Sequence, residues 1–283
     1  MSVNVVYCEG NAKSYDIRVI RQLLPKCELR PLGGKGFIEK IIADRAINPN
    51  LAGLFDRDFD YYDFTPSNTP LPCNYEGIHV GWKWERKEIE NYLIDPIIVQ
   101  RALGNKAPSI DNYKAALNQS ASSIATYTAA RIALSCFKFK NFWGDEIKQV
   151  FGSSYSFPKR LNKEACEQNI RNIVQDFKGD RLVTPENVLD KFEELLPSFL
   201  PGGKRFENYL IFFAGKDLLW QMKTQLEEFG FESNDPKITS PIPVFLEKVV
   251  SRLERSEEVW KWLPEWQALR ELIINTDFYS SSD

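Results

Sequence analysis

Histidine occurs once in the 283 residues, at His79, and its scarcity removes whole classes of chemistry. Zinc proteases built on HExxH, and other sites that need two or more imidazoles, are excluded. Cysteine is sparse as well: Cys8, Cys27, Cys73, Cys136 and Cys166 are scattered and form no CxxC pair. A zinc ribbon or thioredoxin-like site is therefore not expected, and the five read as reduced thiols packed as small apolar groups. No stretch approaches the roughly 18 apolar residues that span a bilayer. The opening Met1-Ser2-Val3-Asn4-Val5 lacks the charged and apolar regions of a signal peptide. A soluble, cytoplasmic protein with no membrane partner is expected. Neither charge is in excess: 36 Lys and Arg stand against 39 Asp and Glu, which argues against gripping polyanions with the whole surface. Apolar residues make up 43% of the chain, enough for a real core and against disorder. Chemistry must then come from carboxylates, from Lys and Arg, or from hydroxyls.

The length suits about two domains. Over the first hundred residues, apolar strand candidates at Val3–Cys8, Cys27–Leu32, Leu51–Phe55 and Ile78–Trp82 alternate with helical spacing at Lys13–Leu24 and from Phe37 to Ile42. Alternation of this kind predicts a parallel sheet with crossover helices. Beyond Asp95-Pro96, a capping Asp followed by Pro at the first helical position, the pattern turns helical. Helices are predicted near 96–103, 110–136, 161–178, 185–196, 215–229, 241–254 and 257–275. The expected architecture is an α/β domain over 1–100, a parallel sheet flanked by helices, followed by a mostly α-helical domain over 101–283. The Trp- and Leu-rich stretch from Val259 to Trp266 reads as core.

The sharpest local feature is Phe55-Asp56-Arg57-Asp58 at the end of an apolar strand. Ligands of open α/β sheets bind outside the carboxyl ends of the strands, so Asp56 and Asp58 would face such a site. Glu9 holds the equivalent place after the first strand. Three crowded carboxylates repel one another and are tolerated when a divalent cation neutralises them. All-oxygen ligation suits Mg²⁺ or Mn²⁺ rather than zinc, and such ions promote phosphoryl chemistry. The plain alternative is a solvated loop with a helix cap. An EF-hand fails, with Tyr61 where Gly and Ser67 where Glu are needed. Phosphate-loop readings fail too: Ala12 stands where Gly is required before Lys13-Ser14, and Asp217 follows Gly215-Lys216.

Taken together, Val5-Val6-Tyr7-Cys8-Glu9-Gly10, the Gly33-Gly34 turn and Phe55-Asp56-Arg57-Asp58 resemble the Toprim domain of topoisomerases, primases and OLD-family nucleases. The run Arg86-Lys87-Glu88-Ile89-Glu90-Asn91-Tyr92-Leu93 is similar to OLD-like Toprim nucleases that lack a fused ATPase, among them the effector subunits of PARIS-type anti-phage systems. The likeness covers about residues 3–100, with a weaker echo at Phe213-Ala214-Gly215-Lys216-Asp217. It implies a metal-dependent endonuclease acting on RNA (tRNA included) or DNA, controlled by a separate ABC-type ATPase subunit; a homodimer is left open. It further implies that Glu9, Asp56 and Asp58 hold Mg²⁺ or Mn²⁺, that Glu88 and Glu90 supply a further ligand or base, and that Lys216 neutralises a phosphate or the leaving oxygen. The family's second acid, four residues after the first Glu, is Lys13 here, and Asp16 is the nearest substitute. The plain alternatives are a surface ion pair for Arg86 and Glu88, packing or capping for Asn91 and Tyr92, and a solvated lysine for Lys216. At the level of the whole chain, a non-catalytic Toprim-like scaffold and a Toprim enzyme of nucleic-acid maintenance are the competing readings.

Between Arg131 and Lys163, cations including Lys138, Lys140, Lys159 and Arg160 interleave with Phe137, Phe139, Phe142, Trp143, Phe151, Tyr155 and Phe157. Cations that track phosphates and aromatics that stack on bases suit a single-stranded or looped nucleic acid. Equally physical is a core of aromatics with a solvated basic rim.

Overall fold

The computed structural model describes residues 3–32, 37–57, 59, 63–139, 143–146, 150–151, 155–177, 179, 182–233, 235 and 238–276. Internal contacts gather the chain into two units: Met1–Arg57, Thr65–Ala107 and Glu247–Asp283 form one, Asp58–Phe64 and Pro108–Leu246 the other. Asp58–Phe64 groups with the helical unit and Glu247–Asp283 with the sheet.

The first unit follows the alternation of the sequence. Its elements are β1 (Val5–Cys8), α1 (Tyr15–Leu23), β2 (Glu28–Pro31), α2 (Phe37–Arg45), β3 (Leu51–Phe55), β4 (Leu71–Tyr75), β5 (Ile78–Lys83), α3 (Glu90–Leu93) and α4 (Pro96–Leu103). The five strands form one sheet in the order β2-β1-β3-β5-β4. β2, β1, β3 and β5 run parallel, and β4 pairs antiparallel with β5. No apolar alternation marks β4, because Pro72 and Asn74 interrupt it. A tight turn at Glu76-Gly77, both at positive φ, sets it beside β5. β1 lies inside the sheet and is buried on both faces, as a parallel strand covered by helices must be. Val5 and Tyr7 join Ile41, Leu51, Phe55, Cys73 and Val80 in one core cluster. Val6 and Cys8 point to the opposite face.

Gly53 and Gly81 face each other across β3 and β5. A Cβ on Gly81, whose φ is +146°, would strike the Gly53 backbone, with the Gly53 nitrogen at 2.6 Å and its carbonyl carbon at 2.8 Å. Backbone cannot give way as a flexible side chain can. Gly81→Ala is therefore expected to cost about 2 kcal/mol or more, from overpacking together with an unfavourable φ. Chemical denaturation checks this, and a loss below about 0.5 kcal/mol would contradict it.

The helical unit contains α5 (Ile110–Cys136), β6 (Asp145–Glu146), β7 (Ser156–Phe157), α6 (Lys163–Gln175), α7 (Pro185–Phe199), α8 (Tyr209–Phe212), α9 (Gly215–Gln221) and α10 (Lys223–Glu228). β6 and β7 pair antiparallel. α5 is the central element, contacted by α6, α7 and α9. Ser109 caps its start, accepting from the Asn112 N–H at 3.3 Å. Its end is a left-handed cap at Lys138: the Lys138 N–H donates to Ser135 (2.8 Å) and the Phe139 N–H to Leu134 (3.0 Å).

α11 (Pro241–Leu253) leads to a short 3₁₀ turn at Val259–Lys261 and to α12 (Pro264–Asn275). From Glu247 onward the chain is built into the sheet unit. The Val3 N–H donates to the Ile273 carbonyl at 3.2 Å, and Arg270 to the Leu23 carbonyl at 3.1 Å. Arg18 forks onto Glu247 and Glu254 at 2.6–2.9 Å. Trp266 is fully buried, its ring 5.8 Å from that of Tyr92, so the tail is core as its composition predicts. Among the described residues, no helix is long and apolar enough to cross a membrane.

Candidate functional site

Parallel pairing of β1 with β3 sets Cys8 opposite Leu54. Glu9 and Asp56 therefore leave neighbouring strands at the same edge of the sheet, where they are exposed and half-buried respectively. Gly10, at φ +99°, turns the chain sharply into α1. Ser14 caps that helix by accepting from the Ile17 N–H, which puts Asp16 in the first turn. A Cβ at Gly10 would collide with Ser14 Oγ and lie 3.6 Å from Asp16 Oδ2. The Asp16 carboxylate thus stands over the Glu9-Gly10 turn, while Lys13 is exposed on the loop before the cap. Cys8 reports the same convergence electrostatically. Its thiol is pushed up to about 12, first by burial and then by Asp16, Asp56 and Glu9.

The exit of β3 is stitched to the segment after β5. The Trp84 N–H donates to Phe55 (3.0 Å) and the Arg57 N–H to Lys87 (2.8 Å). Glu88 and Glu90 lie in that segment and both are buried. They do not alternate along a strand: Glu88 sits in a turn, with its N–H on Asn91 Oδ1 at 3.3 Å, and Glu90 opens α3. Glu90 still reaches α1, since the Tyr15 hydroxyl is pushed up by burial, then by Glu247 and by Glu90. Arg86 makes no surface pair with Glu88. It bonds Asp95 at 2.7 Å and the Asn91 carbonyl at 2.9 Å from an enclosed position, lying 4.8 Å over the Tyr92 ring. The Glu85 carboxylate is equally structural, accepting from the N–H groups of Ser67 (2.5 Å) and Asn68 (3.1 Å). Two further residues went unmarked by the sequence. Arg57 and Lys87, each 1% exposed, bury two cations beside the carboxylate edge.

In the helical unit, Lys216 is the second residue of α9 and is half-buried. Its neighbour Asp217 is buried and accepts from the Tyr155 hydroxyl at 2.9 Å. Phe59, directly after Asp58, lies under the Arg131 guanidinium at 3.5 Å, and Arg131 donates to the Tyr127 hydroxyl at 2.6 Å. Desolvated cation–π contacts of this kind are worth up to about 2 kcal/mol. Asp58 and Lys140, like Gly33-Gly34, lie outside the described residues.

The aromatic–basic stretch divides. Phe139, Trp143 and Phe157 are core. Phe139 packs edge-on against Phe177, and Trp143 and Phe157 do so against Tyr127, with centroids 5.1–5.3 Å apart. A stacking platform for bases is therefore not available from these three. Lys138 ends α5, whereas Lys159 and Arg160 are exposed and share one wall of a cavity of about 590 Å³.

Among the described residues, no group of three or more His, Cys, Asp and Glu stands close enough to hold an ion by itself. The donor chemistry nevertheless fits Mg²⁺ or Mn²⁺. Glu9, Asp16 and Asp56 are hard oxygen donors, and the Cys8 thiol that would favour a softer metal is held protonated. Mg²⁺ keeps several waters and needs only one or two carboxylates, so a closed cage is not required. A scan against protein-family models matches no family, and no curated protein matches the chain.

Proposed function

We propose that the chain is a Toprim-type, divalent-metal-dependent phosphodiesterase, an endonuclease that cuts RNA (tRNA included) or DNA. The observation that carries this reading is the parallel pairing that puts Glu9 and Asp56 at the ends of neighbouring strands, with the Asp16 carboxylate over the Glu9-Gly10 turn. Glu9 and Asp56 would hold Mg²⁺ or Mn²⁺, with Asp16 in the place that Lys13 leaves without an acid and Asp58 as the remaining ligand of the pair. When bound, the ion supplies a Lewis acid that neutralises charge on the scissile phosphate and lowers the pKa of water. Glu90, buried near the start of α1, is the residue to accept the proton of the attacking water or hydroxyl. Cys8, held protonated, serves neither as ligand nor as nucleophile. By its likeness to OLD-like effectors, the enzyme would serve anti-phage defence in the cytoplasm, restrained by a separate ABC-type ATPase.

The test is cleavage of tRNA, single-stranded RNA, plasmid and linear DNA with Mg²⁺ or Mn²⁺, with and without an ATPase encoded alongside. Wild type is expected to cut one substrate class only with the ion present. Asp56→Ala, a change at a half-buried strand end, is expected to lose about a thousandfold or more while keeping its fold. Ion-dependent cleavage that survives in Asp56→Ala would overturn this site, and no cleavage under any condition would favour a scaffold whose metal site was lost at Lys13.

A further inference from the structure

We propose that the cavity of about 590 Å³ in the helical unit is a nucleotide subsite, in which one phosphate-bearing nucleotide is anchored by Lys159, Arg160 and the start of α6. The volume is that of an ordinary small-ligand pocket. Gly144, at φ +130°, lines it and lies so close to the end of β7 that a Cβ there would come within 2.6 Å of the Pro158 nitrogen. From Pro158 the loop presents Lys159 and Arg160 and runs directly into α6. Among the described residues, Arg160 has no ion-pair partner.

α6 is 13 residues long, and its N-cap residue Asn162 makes no capping bond. The Asn162 amide donates instead to Glu164 at 2.7 Å. The first N–H groups of the helix thus lack a side-chain acceptor and add their partial positive charge to that of the two cations, an arrangement suited to phosphate. Trp143 also lines the cavity and is 92% buried, and its indole N–H finds no acceptor among the described residues. A buried donor left so is costly unless a ligand or water satisfies it. Glu164 and Gln168, which also line the cavity, offer acceptors for sugar hydroxyls and base edges. A phosphate bound by cations and backbone, with a sugar and base met by polar side chains, is the chemistry of a nucleotide. Its source under the nuclease reading, on which this part rests, is a strand of the substrate; a free nucleotide has the same chemistry.

The experiment uses the full chain carrying Asp56→Ala, so that nothing is cut, with ¹⁵N-labelled indoles and the Trp143 resonance identified through Trp143→Phe. Nucleoside monophosphates and five-residue oligonucleotides of RNA and DNA are titrated separately. The Trp143 N–H resonance is expected to move, and affinity to fall about tenfold or more in Lys159→Ala/Arg160→Ala while Lys138→Ala leaves it unchanged. Both cations are exposed, and the remaining indole resonances show that the double variant is folded. A response to oligonucleotides supports the strand as source; a response to monophosphates alone supports the subsite and assigns it to a free nucleotide. A silent Trp143 with every ligand, or binding untouched by the double substitution, overturns the subsite. If wild type cleaves nothing yet Trp143 responds, the nuclease reading falls and the subsite stands.

Discussion

Millimolar Mg²⁺ is expected to raise the melting temperature of the wild-type protein by several degrees and to leave Asp56→Asn where it was. An ion that binds only the folded state adds about 2.7 kcal/mol at a hundred times its Kd. For a chain of this size each kcal/mol moves the midpoint by about 2–4 °C. The variant should also show the opposite sign in the absence of metal. Glu9, Asp16 and Asp56 all raise the pKa of one thiol, so their mutual field is unfavourable until a cation enters it. Removing one charge relieves that repulsion, and metal-free Asp56→Asn is expected to melt at or above metal-free wild type. Scanning calorimetry of both proteins, with EDTA and with Mg²⁺ or Mn²⁺, reads both effects. An equal metal shift in the two would place ion binding elsewhere.

A second large effect lies in the sheet unit at Glu265, whose carboxyl is pushed up from 4.5 to about 7 by burial. The Tyr92 hydroxyl and the Glu85 N–H (2.7 Å) donate to it and Arg86 attracts it, but these only partly offset the loss of water. Between pH 4.5 and 7 the folded state holds a proton that the unfolded chain releases. The contribution is therefore complete below pH 4.5 and is lost as pH rises through about 7, amounting to about 3 kcal/mol. Urea denaturation between pH 5 and 8 should show this fall in wild type and a flatter profile in Glu265→Gln. An unchanged slope in the variant would mean that another group carries the dependence.

Much of the fold could be read from punctuation. Asp95-Pro96 and Ser109 place the starts of α4 and α5 where they occur, because both caps act locally. β4 escaped because its residues gain strand geometry only by pairing with β5 through the Glu76-Gly77 turn. The stretch 215–229 reads as one helix and is two, α9 and α10, meeting at Met222. That Glu9 and Asp56 follow β1 and β3 is legible because strand ends are. The direction of Asp16 is not legible in the same way, since it depends on the Gly10 turn and the Ser14 cap together. Arg57 and Lys87 carry no local mark of burial; the bond joining their backbones forms only when β3 and the segment after β5 are side by side. Glu265 is more distant still, 180 residues from the Glu85 N–H that it accepts. The pairing of Arg86 with Asp95, rather than with Glu88, follows from the irregular turn at 84–89, which no periodicity announces.

On the ribosome, the sheet unit cannot be completed before Glu247 and the residues after it have been made. Its strands emerge early, but Ile273, Trp266 and Glu265 are translated only after the whole of Pro108–Leu246, a delay on the order of ten seconds. Until then Val3 lacks its carbonyl partner and the Glu85 N–H its carboxylate. Over that interval the edge that carries Glu9 and Asp56 stands on an unfinished scaffold.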